Sequence, residues 1–148
     1  MKRVLFALGI LLCMLAACGR NDGDNLCDWQ RLQLYVAADS VTPTGLQLTT
    51  INDSERYIGH GLQFHIEQYM GGTWKEPQIY NVSWKLPLLI VPPGSYREED
   101  INWYHMYGPL PPGKYRIVRN IIQGNDDLTS LWQQYSPEKY LYAVFTIE

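Results

Sequence analysis

Side chains able to do acid–base, nucleophilic or metal chemistry are few in this chain. The histidines are His60, His65 and His105. His60 and His65 are five apart, and on one strand an odd spacing sends them to opposite faces. They converge only if His60 lies in a preceding loop. Neither has cysteines or clustered acids at the spacing of a zinc site. They are therefore read as surface or structural histidines, and no metal is expected. Glu98-Glu99-Asp100 and Asp126-Asp127 are the acidic runs. Paired carboxylates serve general acid–base work or hold calcium. Strand alternation, however, puts only Glu98 and Asp100 on one face, and no Asp-x-Asp-x-Asp-Gly loop is present, so both runs read as solvated surface. A Gly-x-Ser-x-Gly elbow and a Gly-rich phosphate cradle are missing. The expectation is a protein that is not an enzyme and takes no cofactor.

The cysteines carry a different chemistry. Met1-Lys2-Arg3 is basic, Val4–Leu15 is almost wholly apolar, and Ala16-Ala17 are small. That order is a secretory signal, and its apolar run is short of the roughly 20 residues of a spanning helix. Leu15-Ala16-Ala17-Cys18-Gly19 resembles the bacterial lipobox, in which the cysteine becomes the lipidated first residue of the mature chain. A thiol is needed there to carry a thioether-linked diacylglycerol, and two acyl chains on one residue anchor stably. The expectation is a signal peptide over 1–17, lipid on Cys18, a polar, Gly-rich tether over 18–28, and one folded domain over 29–148. Cys27 is then left alone near the tether and reads as a small residue at the edge of the first strand. The membrane partner is reached through that lipid, on the extracytoplasmic face of a bacterial envelope.

Charge excludes another class of partner. The chain has 12 Lys+Arg against 15 Asp+Glu, a net −3, with no long basic run. Nucleic-acid binding has no electrostatic footprint.

The elements that must position any site read as strands. Leu32, Leu34 and Val36 alternate with polar residues, as do Leu46, Leu48 and Thr50, and Leu62, Phe64 and Ile66. Gly71-Gly72 marks a hairpin before Trp74, and Pro92-Pro93-Gly94 and Pro109–Gly113 mark turns. Further strands are expected near Asn81–Trp84, over Leu88–Val91, Tyr96–Tyr104 and Lys114–Ile122, and over Tyr140–Ile147. Gln123–Lys139 reads as a long loop, although Leu128, Leu131 and Trp132 have helical spacing. Seven or eight short strands with few helices point to a β-sandwich or a barrel.

Residues Trp103 to Val118 narrow that choice. Trp103, then Tyr107-Gly108, then Leu110-Pro111-Pro112-Gly113-Lys114-Tyr115-Arg116-Ile117-Val118 resembles the turn-and-strand of bacterial immunoglobulin-like domains of secreted proteins and lipoproteins. The resemblance implies an all-β immunoglobulin-like β-sandwich of about seven or eight strands in an envelope setting, with a binding or spacer role. Leu110, Gly113 and Tyr115 also resemble a tyrosine corner, with the prolines stiffening the loop and Gly113 free to take a positive φ.

Aromatic residues make up 13% of the chain. Trp103 is assigned to the core with Phe64 and Ile117. Tyr104, Tyr107, Trp132 and Tyr135 are the candidate binding surface, with Tyr140 and Tyr142 able to extend it; exposed Tyr and Trp anchor proteins or sugars at little entropic cost. Candidate contact loops are Asn52–Gly61, Pro109–Gly113 and Gln123–Lys139. The reading is a non-catalytic, membrane-anchored module that binds a surface protein or a glycan. The alternatives are a proteinase inhibitor or sensor accessory, and a purely structural envelope part.

Overall fold

The computed structural model describes residues 29–80, 83, 87–124 and 138–148. Cys18, Cys27, Asp126-Asp127, Trp132, Tyr135 and most of the expected Asn81–Trp84 strand and Gln123–Lys139 loop lie outside the described residues.

Nine strands form two antiparallel sheets among these residues. The small sheet has the order β1 (Leu32–Val36), β2 (Gly45–Asn52), β7 (Ser95–Asn102). The large sheet is built around β8 (Gly113–Gln123). β9 (Glu138–Ile147) runs along one full edge of β8, from Gly113↔Ile147 to Ile122↔Glu138. The other edge of β8 is shared. β4 (His65–Met70) lies beside its first half, with β5 (Thr73–Lys75) outside it. β3 (Ile58–His60) lies beside its far end, with β6 (Leu89–Val91) outside it.

The period of two decides what each face does. On β8 the odd residues Tyr115, Ile117, Arg119, Ile121 and Gln123 are buried, and on β9 so are Ala143, Phe145 and Ile147. Tyr115, Ile117, Ala143, Phe145 and Ile147 meet Leu46, Leu48 and Ile101 of the small sheet in a core around Trp103, and Ile121 packs with Leu32, Ile58 and Val91 in a second cluster. As expected, Trp103 is fully buried, with Ile117 in the same cluster and Phe64 packed against it. Phe145 bridges two aromatic neighbours, lying 5.7 Å from both Trp103 and Tyr115.

Several local expectations are corrected. Tyr96–Tyr104 does not run as one strand. β7 stops at Asn102, whose side chain accepts the Tyr104 N–H at 2.9 Å, and one helical turn follows, α1 (Tyr104–Tyr107). Gly108 ends that turn at φ 70°, a conformation that is inexpensive only for glycine. The Leu62–Ile66 alternation is a strand only from His65 onward. The Asn52–Gly61 segment is loop only over 53–57: its end is β3, whose Ile58, Gly59 and His60 are all buried. Three residues buried between β8 and β6 show no alternation, so periodicity misses them.

Two side chains tie the layers together at their ends. Asn52, at the end of β2, is fully buried. Its Nδ2 donates to the carbonyls of Arg56 (2.8 Å), Val91 (2.9 Å) and Pro92 (3.0 Å), and its Oδ1 accepts from Ser54 Oγ (2.6 Å) and Ser54 N–H (3.1 Å). One amide thus joins the small sheet to the loop before β3 and to the end of β6 in the large sheet. At the other end Tyr115 Oη donates to the Pro111 carbonyl at 2.7 Å, and Leu110 is buried. Gly113 serves this corner by space and not by a positive φ, since its φ is outside the left-handed region. A Cβ there would lie 3.3 Å from the Tyr115 ring and 3.1 Å from Gln68 Nε2. Tyr115→Phe removes one such bond without opening a cavity. It should lower stability by about 1 kcal/mol. Denaturant midpoints of wild type and variant check this, and coincident midpoints would refute it.

Candidate functional site

The residues picked out for chemistry divide between the interior and the surface. His60 and Glu99 meet inside the sandwich. Glu99 on β7 reaches across to Arg119 on β8, with Arg119 Nη1 donating to Glu99 Oε2 at 2.5 Å. His60 Nε2 is 3.5 Å from the same oxygen. The side chains of His60 and Arg119 are 0% exposed and that of Glu99 is 12% exposed, so Glu99 is not the solvated acid its neighbours suggest. Its two flanking residues, Glu98 and Asp100, do lie exposed on the outer face. The imidazole Nδ1 lies 3.0 Å from the Gly61 carbonyl, an acceptor, so Nδ1 carries the proton. With His60 and Arg119 closed to solvent, the trio cannot touch a substrate. Within it, the Arg119–Glu99 pair links β8 to β7 across the sandwich.

Tyr107 is likewise structural. It is 7% exposed, and its hydroxyl accepts the Ile66 N–H at 3.0 Å and donates to Glu76 Oε1 at 2.9 Å. Ile66 lies on β4 just before the stretch that β5 covers, so the phenol stands in for a missing strand neighbour. Burial, with Glu76 beside it, raises its pKa. The expectation of Tyr107 on a binding surface is therefore wrong: Trp103–Tyr107 is not a strand, and the helical turn swings Tyr107 inward. Tyr104 is exposed on α1, edge-on to His105 at 5.5 Å.

The exposed aromatic residues gather on the outer face of the large sheet. Even residues of β8 and β9 and odd residues of β4 point there, opposite the core. Arg116 sits at the centre. Its guanidinium lies 4.7 Å from the Trp74 ring centroid and 5.0 Å from that of Tyr142, and Glu67 beside it accepts a hydrogen bond from Nε. Tyr69 packs on Trp74 at 5.1 Å, and Lys114 lies over Tyr69 at 5.2 Å. His65 meets Tyr140 edge-on at 6.5 Å. Tyr140 and Tyr142 remain about 60% exposed. Cation–π contacts and the Glu67 carboxylate hold Arg116 upright between two rings, so the face is ordered before any partner arrives.

Sequence reasoning found Tyr140 and Tyr142 but grouped them with loop residues. It missed Trp74, Tyr69, Lys114 and Arg116. The available signal was the alternation Lys114-x-Arg116 and Tyr140-x-Tyr142 opposite the core residues Tyr115, Ile117 and Ala143. Among the described residues no group of three or more His, Cys, Asp or Glu could hold a metal ion, and no helix is long and apolar enough to cross a membrane.

Comparison with protein families settles what carries this face. The sequence profile of the bacterial Ig-like domain matches residues 29–139. The chain belongs to the bacterial Ig-like domain family. No curated protein and no solved structure gives a match. The Ig-like match ends early in β9, while the strand continues to Ile147 and completes both the core and the outer face. Ig-like families are typically non-catalytic, and membership suggests a surface-associated binding or structural module.

The buried trio makes two predictions for this Ig-like domain. Glu99→Ala leaves the Arg119 charge buried without its partner and should cost about 3 kcal/mol in denaturant unfolding; a loss below a few tenths of that would refute the bridge. Burial, then the Arg119 guanidinium, hold the His60 pKa below the ordinary histidine value of about 6.5. Below that pH the unfolded chain takes up a proton that the folded domain does not, so stability falls as the solution is acidified through about 6.5 toward the folded value. A folded His60→Gln variant should show a shallower loss between about pH 7.5 and 5; an equal slope would remove His60 as the cause.

Proposed function

We propose that the protein is a non-catalytic binding module, tethered by lipid on Cys18 to the extracytoplasmic face of a bacterial membrane, that captures an envelope component on the outer face of its large sheet. The observation that carries this is the Trp74–Arg116–Tyr142 stack, flanked by exposed Tyr69 and Tyr140. Trp, Tyr and Arg are the residues in which binding energy concentrates. The lipobox-like Leu15–Gly19 supports the tether, and the polar 18–28 segment gives the domain reach from the membrane.

Affinity capture from native cell envelope with the full chain in mild detergent tests the face. Tyr142→Ala and Arg116→Ala should each reduce capture at least about tenfold. Tyr96→Ala, an equally exposed tyrosine on the small sheet, should leave capture unchanged. Equal capture by all three would place the contact elsewhere. Radiolabelled palmitate should enter the wild type and not Cys18→Ala.

A further inference from the structure

Arg116 and Lys114 hold hydrogen-bond donors that the domain itself leaves unused. Rings from opposite sides of β8 flank the Arg116 guanidinium, Trp74 on β5 and Tyr142 on β9. Its Nε donates to Glu67. Among the described residues Nη1 and Nη2 have no hydrogen-bond partner, and the side chain is 24% exposed. Lys114 stands two residues along the same face, about 7 Å away along the strand. It is exposed, its ammonium rests over the Tyr69 ring, and among the described residues it makes no ion pair.

We infer that Arg116 and Lys114 form the seat for a carboxylate of an acidic glycan. The inference rests on the binding-module reading and names the ligand class.

Charge selects an anion. Both side chains are donors only, so an acceptor must answer them. β8 brings Lys114 and Arg116 to the patch, and β4 brings Glu67, which Arg116 shares with His65. β9 is uncharged from Tyr140 to Ile147, and Lys75 on β5 alternates to the other face. Glu138 lies at the far end of the face, bonded to Asn120. With His65 neutral, the patch carries one net positive charge. That balances a monoanion, whereas a phosphate monoester brings more charge than the patch offsets. The Nη1 and Nη2 pair is a planar fork, the shape that matches a carboxylate. One net charge also gives an anionic bilayer little hold.

The place on the sheet selects a sugar over a peptide. An extended peptide takes its main-chain hydrogen bonds from a sheet edge. Arg116 is no edge residue, since β8 is paired there with β4 on one side and β9 on the other. The face offers rings instead. Tyr69, 43% exposed, and Tyr142, 58% exposed, flank the two cations. A pyranose can lay its C–H face on such a ring while its carboxylate reaches the cation at the rim.

The test is calorimetric titration of the full chain, in mild detergent at low salt, with the α1,4-linked trimer of galacturonic acid. The comparison is the same trimer with every carboxylate methyl-esterified, which keeps rings and linkage and removes the charge. The acid trimer should bind, and the ester should bind at least about tenfold more weakly. Raising the salt from about 0.05 to 0.3 M should weaken the acid trimer. Lys114→Ala should weaken it about fivefold or more, and Lys114→Arg should restore it. Arg116→Lys keeps the charge without the fork and should lose about tenfold. Tyr96→Ala should change nothing. Melting curves establish that each variant is folded, and Lys114, being exposed, keeps the test sound if Arg116→Lys is not. No heat from folded protein, equal binding of the ester, binding indifferent to Lys114→Ala, or a glutamate hexamer bound as tightly would each overturn the inference. Envelope capture that still depends on Tyr142 and Arg116, with no binding of the acid trimer, would remove the acidic sugar and leave the binding-module reading standing.

Discussion

The contact between Arg119 and Glu99 constrains more of this structure than any other. It joins the central strand of the large sheet to the edge strand of the small one, in an interior where an unpaired guanidinium would be prohibitive. Once Arg119 is held inward, the period of two leaves no freedom for its neighbours. Lys114, Arg116 and Asn120 must face outward, and a one-residue slip of β8 would bury all three. β9 follows through its ten-residue register, so Tyr140 and Tyr142 come out beside them. The buried ion pair and the exposed aromatic face are two consequences of one alignment.

The division of labour among tyrosines follows from the same geometry. Tyr115 and Tyr107 spend their hydroxyls on backbone groups, one closing a corner, the other satisfying an N–H on β4. Both are buried, and burial raises both phenol pKa values. Tyr69, Tyr140 and Tyr142 have no such duty and stay in solvent around Arg116. Composition alone cannot separate these groups, because an amphipathic ring serves equally well as a core residue with a polar tip or as a surface anchor. The large sheet adds its own irregularity. β8 is longer than either strand on its shared edge, and where β4 yields to β3 the sheet opens into a cleft at Asn120.

Much of the scaffold was legible in the residues. The alternation of Leu46, Leu48 and Thr50, the glycine hairpin at Gly71-Gly72, and the Leu110–Tyr115 corner all carry short-range signals that tertiary context does not overrule. β3 left no such trace, since Ile58-Gly59-His60 is buried without alternation. The expected Tyr96–Tyr104 strand overran β7 because Trp103 and Tyr104 suit a strand. What ends the strand is a local event, the Asn102 side chain capping the Tyr104 N–H and Gly108 taking a positive φ. Glu99 was hidden in an acidic triplet, its inward direction set by pairing with β2.

The sequence by itself determined the class of the fold, its turns, the family resemblance and the alternating part of the core, because these depend on periodicity and on backbone chemistry within a few residues. Only the tertiary structure decided which polar residues are interior and which aromatic residues share a face. His60, Glu99 and Arg119 come from β3, β7 and β8, and Trp74, Arg116 and Tyr142 from β5, β8 and β9. No interval along the chain encodes their meeting. It is fixed by strand order and register, which arise when two sheets bury their apolar faces against each other and every other side chain must take the side that remains.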